Sequence, residues 1–170
     1  REDGTVLLAG REELCSQNYQ SWHDIQDIAV SYYSALGLKS DGTVEAISTE
    51  DYIESVSTWR NVIRIKTVKN GVIGFTTDGN VLYAGREDSA KAYLQSKENV
   101  VDVHRDNFDF WIILHSDGTV SSQNAHYDVS DWDNMVFVTG NRDYACGVTR
   151  YGEVRFAGKG RYDDNCFECS

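Results

Sequence analysis

Short apolar runs alternate with polar turns from one end of the chain to the other, and the same succession returns about every 37 residues. A first run, Ile25–Val30, comes back as Val62–Ile65, Val100–Val103 and Met135–Val138. A second run, such as Ser34–Lys39 or Trp111–Leu114, leads into an Asp-Gly pair. A third run, such as Thr43–Ile47 or Asn80–Ala84, leads away from it. Side chains that alternate between two faces have the period of a pleated strand, so these runs predict β-strands. Asp-Gly between apolar runs predicts a hairpin with positive φ at both central residues. No long window has a helical period, and residues 88–95 are the one weak exception. Each period predicts three strands, with room for a short fourth before a tryptophan.

Three markers hold the phase. The turn recurs as Asp3-Gly4, Asp41-Gly42, Asp78-Gly79, Asp117-Gly118 and a degenerate Tyr151-Gly152, at spacings of 38, 37, 39 and 34 residues. A strand entry recurs as Trp22-His23-Asp24-Ile25, Trp59-Arg60-Asn61-Val62, Lys97-Glu98-Asn99-Val100 and Trp132-Asp133-Asn134-Met135. A glycine precedes the turn at Gly37, Gly74 and Gly147, with Ile113 in its place in the third copy. Four short strands in such a period make one propeller blade. A parallel β-helix uses shorter repeats, and the LxxLxL pattern of leucine-rich repeats is absent. The fold class expected is all-β: a β-propeller of ~37-residue four-stranded blades, with four full strand sets plus a half blade. Residues 1–170 are expected to form one repeat domain, divided near 1–21 (partial), 22–58, 59–96, 97–131 and 132–170. The tryptophan is expected to pack between blades, and the glycine to allow close strand approach.

The combined pattern, best in Trp22 to Ala46, resembles the short bacterial form of the regulator of chromosome condensation repeat. The resemblance covers nearly the whole chain. The chain departs from it at Ser31–Ser34, where Gly-x-x-His is expected, and in the third copy. The resemblance implies a protein-interaction role. Some members bind small GTPases or chromatin, and one secreted bacterial relative inhibits β-lactamases through aromatic loops. It also implies seven blades, which would need roughly 260 residues, while five would need roughly 190. A chain of 170 residues starting at Arg1 inside a repeat is therefore expected to be an open arc or a fragment of a larger ring.

The formal charge is -11. That argues against a nucleic-acid partner, whose phosphates would be repelled, and favours a protein partner with a basic surface. No apolar run is long enough for a membrane span, so no membrane association is expected. The four cysteines include Cys166-Phe-Glu-Cys169, but a second CxxC is missing and the four histidines are scattered. Incidental thiols are expected, with no metal and no cofactor. The composition fits bacterial cytoplasm and exterior equally.

Function must then come from loops, because strand hydrogen bonds are used inside blades. One variable set follows the first strand: Tyr32-Tyr33, Lys69-Asn70, Phe108-Asp109 and Arg142-Asp143. Another follows the strand after the turn and includes Glu50-Asp51-Tyr52, Arg86-Glu87-Asp88 and His126-Tyr127. Aromatics and arginine dominate interface energy. The expected partner-binding residues are Tyr32, Tyr33, Tyr52, Arg86, Phe108, Asp109, Arg142 and Asp143, in a non-catalytic protein-protein interaction module. The partner could equally be the rest of its own ring or another copy. A lectin-like propeller is the alternative, although loops that differ between copies do not repeat one sugar pocket. A propeller lyase or hydrolase is a weaker one, since no Ser-His-Asp elbow, HExxH or phosphate-cradling glycine loop occurs.

Overall fold

The structure, a computed structural model, describes residues 4–10, 12–105 and 110–158. Among them, twelve strands form four antiparallel sheets of three strands each. The first sheet holds β1 (Ile25–Val30), β2 (Ser34–Lys39) and β3 (Val44–Ser48). The second holds β4 (Val62–Val68), β5 (Gly71–Thr76) and β6 (Val81–Gly85). The third holds β7 (Val100–Arg105), β8 (Trp111–His115) and β9 (Val120–Ser122). The fourth holds β10 (Met135–Gly140), β11 (Tyr144–Thr149) and β12 (Val154–Gly158). The chain is an all-β protein built of propeller blades. It divides into two compact units, residues 1–99 with the first two sheets and residues 100–170 with the other two.

Register is the same in every sheet. Ile28 stands opposite Gly37, Ile65 opposite Gly74, Val103 opposite Ile113 and Val138 opposite Gly147. Within unit 1, Leu36, Leu38 and Val44 of the first sheet share a core with Trp59, Val62, Ile65, Val72 and Ala84 of the second. Within unit 2, Ile112, Leu114 and Val120 pack in the same way with Trp132, Met135, Val138 and Ala145. Trp59 and Trp132 thus lie between sheets, as the spacing predicted. The repeat glycine makes room for the tryptophan, and at Gly147 also for the Met135 side chain and the Phe137 carbonyl of the paired strand. A Cβ on Gly74 would stand 2.9 Å from the Trp59 ring, and one on Gly147 would stand 2.9 Å from Trp132. The third copy has Lys97 and Ile113 at these two positions, and Ile113 is fully buried.

The Asp/Asn of the strand entry has a backbone cause. Asp24, Asn61, Asn99 and Asn134 all adopt left-handed conformations, with φ between 55° and 58°. Short polar side chains tolerate that region better than other non-glycine residues. In this conformation the entry seats the turn of the preceding sheet. The Val62 amide donates to the Gly42 carbonyl (3.0 Å) and the Met135 amide to the Gly118 carbonyl (2.9 Å).

Three expectations are corrected. The Asp-Gly turn does not place both central residues at positive φ. Gly42 donates to the Lys39 carbonyl (3.0 Å), which closes a turn over Ser40-Asp41, and among these residues the positive φ falls on Gly42 alone. This is the longer hairpin, in which a left-handed glycine follows the turn. The fourth strand is absent among the described residues. Three of its four places are taken by α1 (Glu12–Cys15), a 3-10 helix (Asp51–Thr58) and α2 (Asp88–Gln95), and the one before Trp132 by turns. A helical segment satisfies its own backbone, and Ala90 and Leu94 of α2, four residues apart, bury one face. Finally, residues 5–9 form no strand. Val6 and Leu8 still pack on Leu14, Trp22, Ala35 and Ile47.

Candidate functional site

The loops of unit 1 are built from polar side chains that bond backbone. At the β1–β2 hairpin, Ser31 Oγ accepts from the amides of Tyr33 (3.3 Å) and Ser34 (3.1 Å). That bond pattern holds a tight loop with Tyr32 and Tyr33 at its tip. Ser48 Oγ donates to the Tyr33 carbonyl (2.9 Å), and the Thr49 amide donates to the same carbonyl (3.1 Å). The tip is thereby tied to the chain leaving β3. The Glu50 amide in turn donates to Ser48 Oγ (2.9 Å), which fixes where Glu50 starts.

Glu50 meets Arg86, which leaves β6 of the second sheet. Arg86 Nε donates to Oε2 (2.7 Å) and Nη2 to Oε1 (2.7 Å), a two-pronged pair with fixed geometry. The Glu50 side chain is 12% exposed and that of Arg86 is 59% exposed, so the carboxylate anchors a guanidinium that faces solvent. Glu50 raises the Arg86 pKa above its ordinary value, first through these hydrogen bonds. The guanidinium stands 6.0 Å from the centre of the Tyr33 ring, and Tyr33 meets Tyr32 edge to face at 4.8 Å. Asn70 Nδ2 donates to Glu87 Oε1 (3.3 Å), while the Arg86 amide donates to the Asn70 carbonyl (3.1 Å).

The structure therefore brings together Tyr32, Tyr33 and Arg86. Tyr52 lies beside them, half-buried against the core between the two sheets. Its stacking against that core gives it a packing role that sequence did not separate from binding. In unit 2, Arg142 and Asp143 are both exposed at the tip of the β10–β11 hairpin. Asn141 Oδ1 accepts from the amides of Asp143 and Tyr144 (both 2.9 Å), the counterpart of Ser31. Buried Asn124 donates to the Arg142 carbonyl (2.7 Å) and ties this tip to the chain after β9. Phe108, Asp109, Cys166 and Cys169 lie outside the described residues.

Sequence reasoning placed Glu50 in a variable loop without giving it a role, and missed Asn124. The signal for Glu50 was present: it and Arg86 carry opposite charge 36 residues apart, close to one repeat. Asn124 could not be told from an ordinary turn residue, because its function is to satisfy carbonyls of a distant loop. Among the described residues no group of three or more His, Cys, Asp or Glu side chains comes together to hold a metal. No helix among them is long and apolar enough to cross a membrane.

The blades and their junctions define a propeller-type protein. No protein-family model matches the chain, and no curated protein matches it. Solved structures do share the fold. The ectodomain of the Physcomitrella patens receptor kinase CR4 is similar with a TM-score of 0.57 at 14% identity, over 80% of this chain and 39% of that one. Human WBSCR16 is similar with a TM-score of 0.54 at 13% identity, over 79% of this chain and 48% of that one. Prp20p from Saccharomyces cerevisiae is similar with a TM-score of 0.51 at 16% identity, over 79% of this chain and 45% of that one. The chain spans less than half the length of each of these structures.

Proposed function

We propose that this chain is a non-catalytic protein-binding module of the regulator of chromosome condensation type, and that unit 1 binds a protein partner through Tyr32, Tyr33 and Arg86. The observation that carries the reading is the held arginine. Glu50 fixes an exposed guanidinium beside Tyr33, which meets the exposed Tyr32 edge to face, so its side-chain entropy is already spent before a partner arrives. Aromatics and arginine presented on a rigid base are the residue types of interface hot spots. Arg142 and Asp143 form a second, smaller contact point in unit 2. One structural relative is described as binding Gsp1p and histones, which accords with a propeller that engages proteins. The net charge of -11 favours a partner with a basic surface.

The test is quantitative affinity capture with the full chain, compared with Tyr33→Ala and Arg86→Ala. Each substitution is expected to weaken the captured complex by about 2 kcal/mol or more. Partners retained equally by the parent and both variants would place the binding surface elsewhere.

A further inference from the structure

β6 is the outermost strand of the second sheet, and among the described residues no strand pairs with its far edge. The Asn80 carbonyl accepts from the Thr76 amide (3.1 Å), and the Arg86 amide donates to the Asn70 carbonyl (3.1 Å). Hydrogen-bonded residues alternate along an antiparallel pair. Leu82 and Ala84 therefore bond β5, and the backbone groups of Val81 and Gly85 point away from it. A fourth strand of the blade would receive them. α2 follows β6 where that strand is expected, but a helix bonds its own backbone and cannot extend the ladder.

Two adjoining cavities of about 370 and 340 Å³ lie along β6, between the 3-10 helix and α2. Ser55 of the 3-10 helix, Lys91 of α2 and Tyr83 of β6 line both, which makes them one trough. Leu82, Tyr83, Ala84 and Gly85 all border it. Neighbouring side chains on a strand point to opposite faces, so a trough that touches four consecutive residues faces the edge of the strand. It runs the length of β6, room for about five extended residues at ~3.3 Å each. The two ends differ in charge. Beside Gly85 the walls carry the exposed carboxylates of Asp51, Glu54 and Asp88. Beside Asn80, Arg60 and Asp78 offset each other.

We propose that this trough binds an extended peptide segment of a partner protein, which adds to β6 as an antiparallel fourth strand and sets a Lys or Arg near its N-terminal end among Asp51, Glu54 and Asp88. An unpaired strand edge is a template for another chain, and backbone pairing supplies affinity whatever the sequence. The acids select the charge of the segment. Direction follows from β6, which runs from Asn80 toward Gly85. An antiparallel segment, the pairing of every strand in these sheets, has its N-terminal end at Gly85 and the carboxylates. None of Tyr32, Tyr33 and Arg86 lines the trough, so the two sites are separate.

The experiment pans a random octapeptide display library on the full chain and measures the selected peptides by fluorescence anisotropy. The selected peptides are expected to carry Lys or Arg ahead of a run of β-formers. A chain with Glu54→Arg and Asp88→Arg is expected to bind them about ten-fold more weakly or worse. Methylating alternate backbone nitrogens of a peptide is expected to abolish binding in one of the two alternating patterns, because only one set of amides faces β6. Arg86→Ala is expected to leave the affinity unchanged, which keeps this result separate from the tyrosine–arginine test. Should the charge-reversed chain misfold, Ser55→Trp fills the trough from an exposed position and is expected to block binding with an unchanged far-ultraviolet circular dichroism spectrum. Panning that selects no peptide overturns the proposal. So do peptides that keep their affinity for the folded charge-reversed or Ser55→Trp chain, or under both methylation patterns.

Discussion

Asn61 holds φ at 57° and carries the seat for the Gly42 turn. A residue with a Cβ but no local polar group pays about 1–2 kcal/mol in that region. Asn61→Ala is therefore expected to lower unfolding free energy by about 1 kcal/mol in a denaturant titration, and Asn61→Gly to lower it less. The turn aspartates act through charge. Asp41 Oδ1 accepts from the Thr43 amide (2.9 Å) and hydroxyl (2.6 Å), and Asp117 accepts from Thr119 at 2.9 and 2.7 Å. These bonds favour the ionised form and hold both carboxyls below their ordinary pKa. A depressed folded pKa contributes stability that is present above the unfolded value and lost as pH falls through the folded one. Stability should thus decline below about pH 4, and the Asp41→Asn, Asp117→Asn chain should show a shallower decline in acid denaturation followed by circular dichroism.

At the scale of elements, tryptophan and glycine form one unit. Gly74 lies under Trp59 with no room for a methyl group. Gly74→Ala should overpack the junction and cost about 1–3 kcal/mol, read as a lower denaturation midpoint with unchanged slope. The twelve strands were legible because each is a short apolar or alternating run in phase with a turn marker. The helical segments between them were only partly legible. Residues 88–95 carry a weak helical period, while 12–15 is too short to show one and 51–58 folds as a 3-10 helix, whose period is not the α-helical one. Tyr32, Tyr33 and Arg86 were legible as loop aromatics and a loop cation. Their assembly was not, since Glu50 and Arg86 belong to different sheets and meet only because the two sheets pack in register.

At the scale of the molecule, the net charge of -11 makes copies of the chain repel one another and favours a basic partner, and salt screens both effects. The likeness to solved structures at 13 to 16% identity is one of fold.

By itself the sequence determined the repeat, the strands and the turn positions, because these follow from local periodicity and from the conformational freedom of Gly, Asn and Asp. Tertiary structure decided the rest. It filled three of the four fourth-strand places with helical segments, because a helix supplies its own hydrogen bonds and buries an apolar face without a neighbouring strand. It left residues 5–9 outside any sheet and packed them instead, through Val6 and Leu8, on Leu14, Trp22, Ala35 and Ile47. It turned Glu50 from a loop acid into the anchor of Arg86, because only sheet packing brings side chains 36 residues apart within hydrogen-bonding distance.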